Sequence, residues 1–396
     1  MPNCIIAQSG GPTSVINSSV VGLIKANEEF KVYDKIYGGL NGIEGILNKN
    51  IIDLSSTTNQ ELEEFKYTPS SGLGSCRYKM KNIEDSTEEY DKILEILQDL
   101  DIKTFFYIGG NDSMDTTAKL GKYAKENNLD IYFVGIPKTI DNDLMYTDHT
   151  PGFASAAKYI AISVLETYLD SSVYTNNGIF ILETMGRDTG WLAASACTAK
   201  YLGKPVVDFI YLPEVAFDKD QFLKDVEKRF KENNHVYIVV SEGIRDASGK
   251  FVSEFECVSQ DKFGHTQLGG VCNYIRSLIL DAKITTRVKA LELGVLQRCA
   301  MHCSSQIDID EAFMTGYEAL KYAMEGNNGQ MVAIKRESNK PYKSSFFLVE
   351  ADKIANNVKY FPTEWINKEG NNVTPEAYEY FKPMLGELPD FKVFTK

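Results

Sequence analysis

The chain has 396 residues, 43% hydrophobic and 24% charged, which is more than one core usually organises and predicts two similar-sized lobes of a soluble cytoplasmic protein. A formal net charge of −13 excludes general binding to nucleic acid or anionic membranes, so anionic ligands must be held by local cationic clusters. No apolar run reaches membrane-spanning length, Met1-Pro2-Asn3-Cys4 lacks signal-peptide character, and seven scattered cysteines suit reduced thiols better than a disulfide framework.

In chain order, residues 4–8 form an apolar, strand-like run that enters the turn Ser9-Gly10-Gly11 and then a helical pattern from about Val15. A second glycine turn, Ser71-Gly72-Leu73-Gly74-Ser75, comes before Ser86 and Glu89, whose spacing predicts a capping box for a helix burying Tyr90, Ile93, Leu94 and Leu97. Residues 104–108 predict a buried strand ending in Gly109-Gly110-Asn111-Asp112-Ser113. Residues 131–136 predict another, ending in Pro137-Lys138-Thr139-Ile140-Asp141-Asn142-Asp143. Further strands are expected at 179–182, 209–212, 235–240 and 330–334, and a helix after Asp218 carries Phe222, Val226 and Phe230 on one face. Continuous apolar strands separated by helices mean a parallel sheet covered on both sides, hence an α/β fold. Without a low-complexity linker, several chain crossings should join the lobes. Cys299 and Cys303 flank His302, but no second Cys/His pair completes a zinc set, so they read as buried small residues. Phe346, Phe347, Tyr360 and Trp365 are expected to pack onto the second lobe.

A buried strand that ends in one cation and two carboxylates is a phosphoryl-transfer site in outline, because ligands of open parallel sheets collect beyond the carboxyl ends of strands. Glycine lets backbone amides approach phosphate oxygens, although a turn also uses it for steric reasons alone. None of the glycine turns has the spacing of a Walker A loop or a dinucleotide fingerprint. Gathered with Lys138 at one sheet edge, they would build one anion cradle. Asp141 and Asp143 around Asn142 suit proton transfer or, on the residues alone, a turn or helix cap.

The ordered set Ser9-Gly10-Gly11, Gly74-Ser75-Cys76-Arg77, Gly109 to Ser113, Pro137 to Asp143, Met185-Gly186-Arg187, Pro213-Glu214, Glu242-Gly243 and Gln297-Arg298 resembles the phosphofructokinases, most closely their pyrophosphate-dependent branch, over roughly residues 1–335. The resemblance implies two Rossmann-like lobes with mostly parallel sheets and an active-site cleft between them. Residues 1–150 with about 298–340 would bind the phosphoryl donor, and 151–297 with about 341–396 the sugar phosphate. The implied activity is a reversible, magnesium-dependent transfer of phosphate from pyrophosphate to the C1 hydroxyl of fructose 6-phosphate, in a homodimer or homotetramer. Asp141 would be the general base, with Lys138 and Asp112 completing the catalytic set. Gly10, Gly11, Arg77, Gly110, Asp112 and Lys138 would hold the donor. Thr139, Asp141, Asp143, Met185, Gly186, Arg187, Glu242, Arg287 and Arg298 would hold the sugar phosphate, and Asn111, Asp112 and Asp143 the Mg2+ ion.

By the same resemblance, ATP-using relatives usually carry glycine at the positions of Asp112 and Lys138. A carboxylate at 112 takes up the space of a nucleotide α-phosphate, while an ammonium at 138 neutralises compact pyrophosphate. Other positions depart from the family's pattern. Asn111 replaces a magnesium-associated aspartate, Val295 a histidine or tyrosine near the sugar phosphate, and Gly178 an arginine that reaches from a neighbouring subunit. Val21 replaces an effector-site arginine, leaving Lys25 as its basic companion on that helix. The competing expectations are ATP dependence, a sedoheptulose 7-phosphate acceptor and, more remotely, a noncatalytic phosphate-binding regulator.

Overall fold

The structure, a computed structural model, describes residues 1–253 and 270–394. It divides into two compact units, Met1–Ser155 with Arg298–Lys359, and Ala156–Gln297 with Tyr360–Lys396. The first unit begins with β1 (Asn3–Gln8), β2 (Ile36–Gly39), β3 (Ile51–Asp53), β4 (Ile102–Gly109) and β5 (Tyr132–Pro137). The second contains β6 (Gly178–Thr184), β7 (Lys200–Tyr201), β8 (Lys204–Pro205), β9 (Phe209–Tyr211), β10 (His235–Ser241) and β11 (Val288–Glu292). The chain then adds β12 (Gln330–Asn339) and β13 (Tyr342–Glu350) to the first unit.

The first unit's sheet runs β13-β12-β5-β4-β1-β2-β3, parallel from β12 to β2 and antiparallel at both edges. Alternation along its central strands sends Ile6, Phe106 and Val134 to one core and Ile5, Phe105 and Phe133 to the other, which is why these runs are apolar throughout. Helix Ile16–Phe30 contributes Val20 and Leu23 to the former, and helix Glu88–Asp99 contributes Tyr90, Ile93 and Leu97 to the latter. Strand order reverses beside β1, whose neighbours are β2 and β4. That is the switch point of the sheet, where ligand crevices form.

The second unit's sheet, β11-β6-β10-β9, is parallel throughout. Helix Lys219–Asn233 packs Phe222 and Val226 into its core. Asp218 caps that helix by accepting the Asp220 and Gln221 amides at 3.0 Å each, a contribution of about 1 kcal/mol. Among the described residues no helix is long and apolar enough to cross a membrane.

The structure corrects several local expectations. Helix Glu88–Asp99 starts after Thr87 without the expected capping box: the Ser86 hydroxyl accepts the Glu88 amide at 3.4 Å, and Glu89 accepts the Tyr78 hydroxyl at 2.7 Å. A capping box forms between Thr58 and Glu61. Residues 341–359 belong to the first unit, since β13 pairs along β12 and Phe346 packs on the first unit's core while Phe347 is exposed. Trp365 does pack in the second unit, against Trp191, Phe361 and Tyr380, but Tyr360 is exposed. Cys299 and Cys303 are only partly buried.

Candidate active site

In the first unit, the carboxyl ends of adjacent β1, β4 and β5 bring sequence-distant turns together. Gly10 adopts φ 74, donates its amide to the Cys76 carbonyl at 2.9 Å and accepts the Ser75 hydroxyl at 2.6 Å. These bonds tie the 71–77 loop, which follows helix Asn59–Lys66 rather than a strand, to the turn after β1. The Ser9 and Ser113 hydroxyls meet at 2.5 Å and join that turn to the one after β4. A Cβ on Gly10 would lie 3.1 Å from Lys138 Nζ, so glycine leaves room for the ammonium as well as allowing the left-handed turn.

Lys138 is 3% exposed and donates to the Gly11 carbonyl at 2.6 Å, so it is no solvated surface lysine. Burial pulls its pKa down to about 8; Asp141 and Asp143 oppose that shift, and Arg298 and Arg77 reinforce it. One ammonium, two carboxylates and two guanidiniums therefore share one electrostatic neighbourhood. Gly110 precedes helix Asn111–Glu126, so Asn111 and Asp112 occupy its first turn, where helix amides favour anions. Asp112 is exposed there. Asn111 Nδ2 donates to Asp143 Oδ2 at 3.2 Å, and its buried Oδ1 has no hydrogen-bond partner among the described residues.

The segment 138–152 is held from within and behind. The Thr139 hydroxyl accepts the Asp141 amide at 3.1 Å. Asn142 is fully buried at φ 56, whereas Asp141 and Asp143 on either side are partly exposed. Further along, His149 Nδ1 lies 2.8 Å from Asp148 and Nε2 2.5 Å from Glu311, both ring nitrogens meeting carboxylates. Asp308 accepts the Gly152 and Ser155 amides at 2.9 Å each, and burial raises its pKa to about 6.

Burial opposes charge on His149, but Glu311 and Asp148 outweigh it and hold the imidazole pKa at about 9, above its ordinary 6.5. A folded value above the unfolded one means that this stabilisation is complete below pH 6.5 and is lost as pH rises through about 9. A shift of that size corresponds to on the order of 3 kcal/mol. We expect the thermal midpoint to fall between pH 6.5 and 9, and His149→Gln to flatten the fall. An identical slope in the variant would remove His149 as its source.

In the second unit, β6 and β10 end side by side, with Thr184 opposite Ser241. They lead into Met185-Gly186-Arg187 and Glu242-Gly243. The Gly186 amide donates to Glu242 Oε1 at 3.2 Å, and the Ser241 hydroxyl donates to the Gly186 carbonyl at 2.5 Å. Gln297 accepts the Met185 amide at 3.0 Å. Met185, Arg187 and Glu242 are thereby fixed at one sheet edge.

Arg287, expected at the sugar phosphate, does not join them within the second unit, and Arg298, expected there too, directly follows Gln297 but is counted with the first unit. Arg287 precedes β11, which runs parallel to β6 with Val288 opposite Ile179. It therefore lies at the amino edge, roughly 20 Å along the strand from Met185, stacked 4.8 Å over the Tyr174 ring. A Cβ at Gly178 would sit 2.3 Å from the Arg287 carbonyl, so no arginine could stand there in this backbone. Arg298 belongs to the first unit and to the Lys138 cluster; its Nη1 is 3.4 Å from a Cβ placed on Gly11. Val21 is core, and Lys25 pairs with Glu28 at 2.7 Å.

The chain matches the family model described as Phosphofructokinase over residues 3–323. It is 39% identical over 390 residues to a pyrophosphate–fructose 6-phosphate 1-phosphotransferase of Xanthomonas campestris pv. campestris (strain B100), covering 98% of this chain and 92% of that one. A sulfofructose kinase of Alkalicoccus urumqiensis is 32% identical over 375 residues, covering 94% and 91%. Among solved structures, the crystal structure of a pyrophosphate-dependent phosphofructokinase from Nitrosospira multiformis is similar with a TM-score of 0.87 at 34% identity, covering 100% of this chain and 95% of that one. Likeness of this extent, in a mostly parallel α/β chain with glycine turns and a buried lysine at its switch point, means that the chain belongs to the phosphofructokinase family.

Proposed function

We propose that the chain transfers a phosphoryl group from pyrophosphate to the C1 hydroxyl of fructose 6-phosphate, giving fructose 1,6-bisphosphate and orthophosphate in the cytoplasm. The observation that carries this reading is Lys138, a buried ammonium under the Gly10-Gly11 turn, in the field of Asp141, Arg298 and Arg77. In the forward step the C1 oxygen attacks the terminal phosphorus while Asp141 accepts the hydroxyl proton. The bond from that phosphorus to the bridging oxygen breaks, and its electron pair leaves with orthophosphate. Lys138, Arg77, Arg298 and the amides of the Gly10-Gly11 and Gly110 turns neutralise the donor and the leaving phosphate. Asp112 adds a negative charge that disfavours a nucleotide α-phosphate. The pyrophosphate anhydride and the sugar ester differ less in energy than ATP and that ester, so both directions run.

Arg187 offers a bidentate fork to sugar-phosphate oxygens, and Glu242 accepts a sugar hydroxyl. Thr139 steadies Asp141 through its amide. Arg287, at the opposite sheet edge, could clamp a sugar phosphate only for a neighbouring copy, which favours a homo-oligomer. Donor and acceptor follow the names of relatives at 36–39% identity; the acceptor named for the 32% relative is the comparison to run.

Magnesium fits the residues present. The Asn111 Oδ1 and the Asp143 carboxylate are hard oxygen donors held close by the hydrogen bond that Asn111 Nδ2 donates to Asp143. Among the described residues no group of three His, Cys, Asp or Glu forms a metal cage, which suits an ion held by a few protein oxygens and the substrate's phosphates. When bound, it would supply positive charge to phosphate oxygens. An aldolase-coupled assay tests the reading: product should form from fructose 6-phosphate and pyrophosphate, stop with EDTA and resume with magnesium. Absence of product would reject the proposed reaction, and indifference to EDTA would reject the ion.

A further inference from the structure

Lys359 closes the first unit's share of the sequence, 217 residues after Asn142, and no part of the reaction described above uses it. Its Nζ donates to the carbonyls of Thr147 at 3.0 Å and Asp148 at 2.9 Å, and lies 3.4 Å from Asn142 Oδ1. These acceptors match the N–H donors of an ammonium. Its backbone amide donates to the Asp143 carbonyl at 2.8 Å. One residue thus grips both limbs of the segment that carries Asp141.

Asn142 is what this grip acts on. Its left-handed backbone, φ 56, is sparsely populated outside glycine, and its side-chain oxygen is held by the Thr150 amide at 3.2 Å as well as by Lys359. Rotating residue 142 to a right-handed conformation would break both bonds and change the spacing of the carboxylates on either side. We propose that Lys359 is a positioning residue, whose ammonium behind Asn142 fixes the turn that sets Asp141 against Asp143 for phosphoryl transfer. This rests on the assignment of Asp141 and Asp143 to that reaction. A misplacement of about 1 Å at the reacting groups lowers rates by about 100-fold. The effect belongs in kcat, because donor and sugar still meet their own binding groups.

The test compares Lys359→Met and Asn142→Gly with the unsubstituted enzyme for kcat, KM, thermal midpoint and hydrogen exchange over residues 139–152. Glycine keeps φ above zero without strain but loses the side-chain anchor, so Asn142→Gly remains informative if Lys359→Met fails to fold. We expect kcat to fall about 30- to 100-fold in Lys359→Met and about tenfold in Asn142→Gly, with both KM values within about threefold and faster exchange across the segment. A purely structural lysine would lower the thermal midpoint and leave kcat of the folded protein intact, and that result would overturn the proposal. Faster exchange with unchanged turnover would reject the role of the carboxylates instead, and an unsubstituted enzyme inert with pyrophosphate would reject the reaction itself; the proposal falls in either case.

Discussion

Asp141→Asn should lower kcat by about a thousandfold while both KM values stay within a few-fold, because the amide keeps the shape of the carboxylate but cannot take the C1 proton. The side chain is partly exposed and its backbone is fixed by Thr139, so the thermal midpoint should move by no more than a degree or two, roughly. Steady-state kinetics in both directions, with a melt of the same preparation, check this. A loss of less than about tenfold would mean that another group accepts the proton.

Lys138→Met is the second large effect. The ammonium is preorganised and buried, and losing one such donor to phosphate oxygens costs about 3–4 kcal/mol at a developing anion. We expect kcat/KM for pyrophosphate to fall about 300- to 1,000-fold, with the KM for fructose 6-phosphate much less affected. Stability should hold or rise, because burial disfavours the Lys138 charge more than Asp141 and Asp143 favour it, with Arg298 and Arg77 adding repulsion. Lysine is charged below its pKa, so kcat/KM for pyrophosphate in the unsubstituted enzyme should decline as pH passes about 8, and that decline should vanish in the variant. A variant that kept the pH dependence would assign it to another group.

The central strands β1, β4 and β5 of the first unit were legible because parallel strands buried on both faces are apolar nearly throughout, as residues 105–108 and 131–136 are, whereas β2 and β3, four and three residues long, gave no such run. The Lys138–Asp143 segment was legible because the strand before it is unmistakable and its charges follow at once. The outer half of β12 was not, since Lys335–Asn339 turns polar where the strand leaves the core, and its antiparallel partner β13 hid with it. Sequence order says nothing about which end of a sheet Arg287 occupies; the pairing of Val288 with Ile179 puts it at the amino edge, away from Met185. Arg298 is expected at the sugar phosphate from its match to the family motif; it follows Gln297 directly, and the two are counted with different units. Lys359, His149 and Asp308 carried no local signal at all. Each is a single buried polar residue with at least one partner far away in the chain: Asn142 for Lys359, Glu311 for His149, Gly152 for Asp308.

Under the proposed function, the cradle around Lys138 and Asp112 takes pyrophosphate and refuses a nucleotide. The direct measurement is kcat/KM for pyrophosphate and for ATP, each with fructose 6-phosphate and equal free magnesium, on one preparation of the enzyme. We expect pyrophosphate to be favoured by about a thousandfold or more, since Lys138 adds a charge-assisted hydrogen bond to the small anion and Asp112 takes up the space that a nucleotide α-phosphate would need. ATP used as well as pyrophosphate, or better, would contradict it.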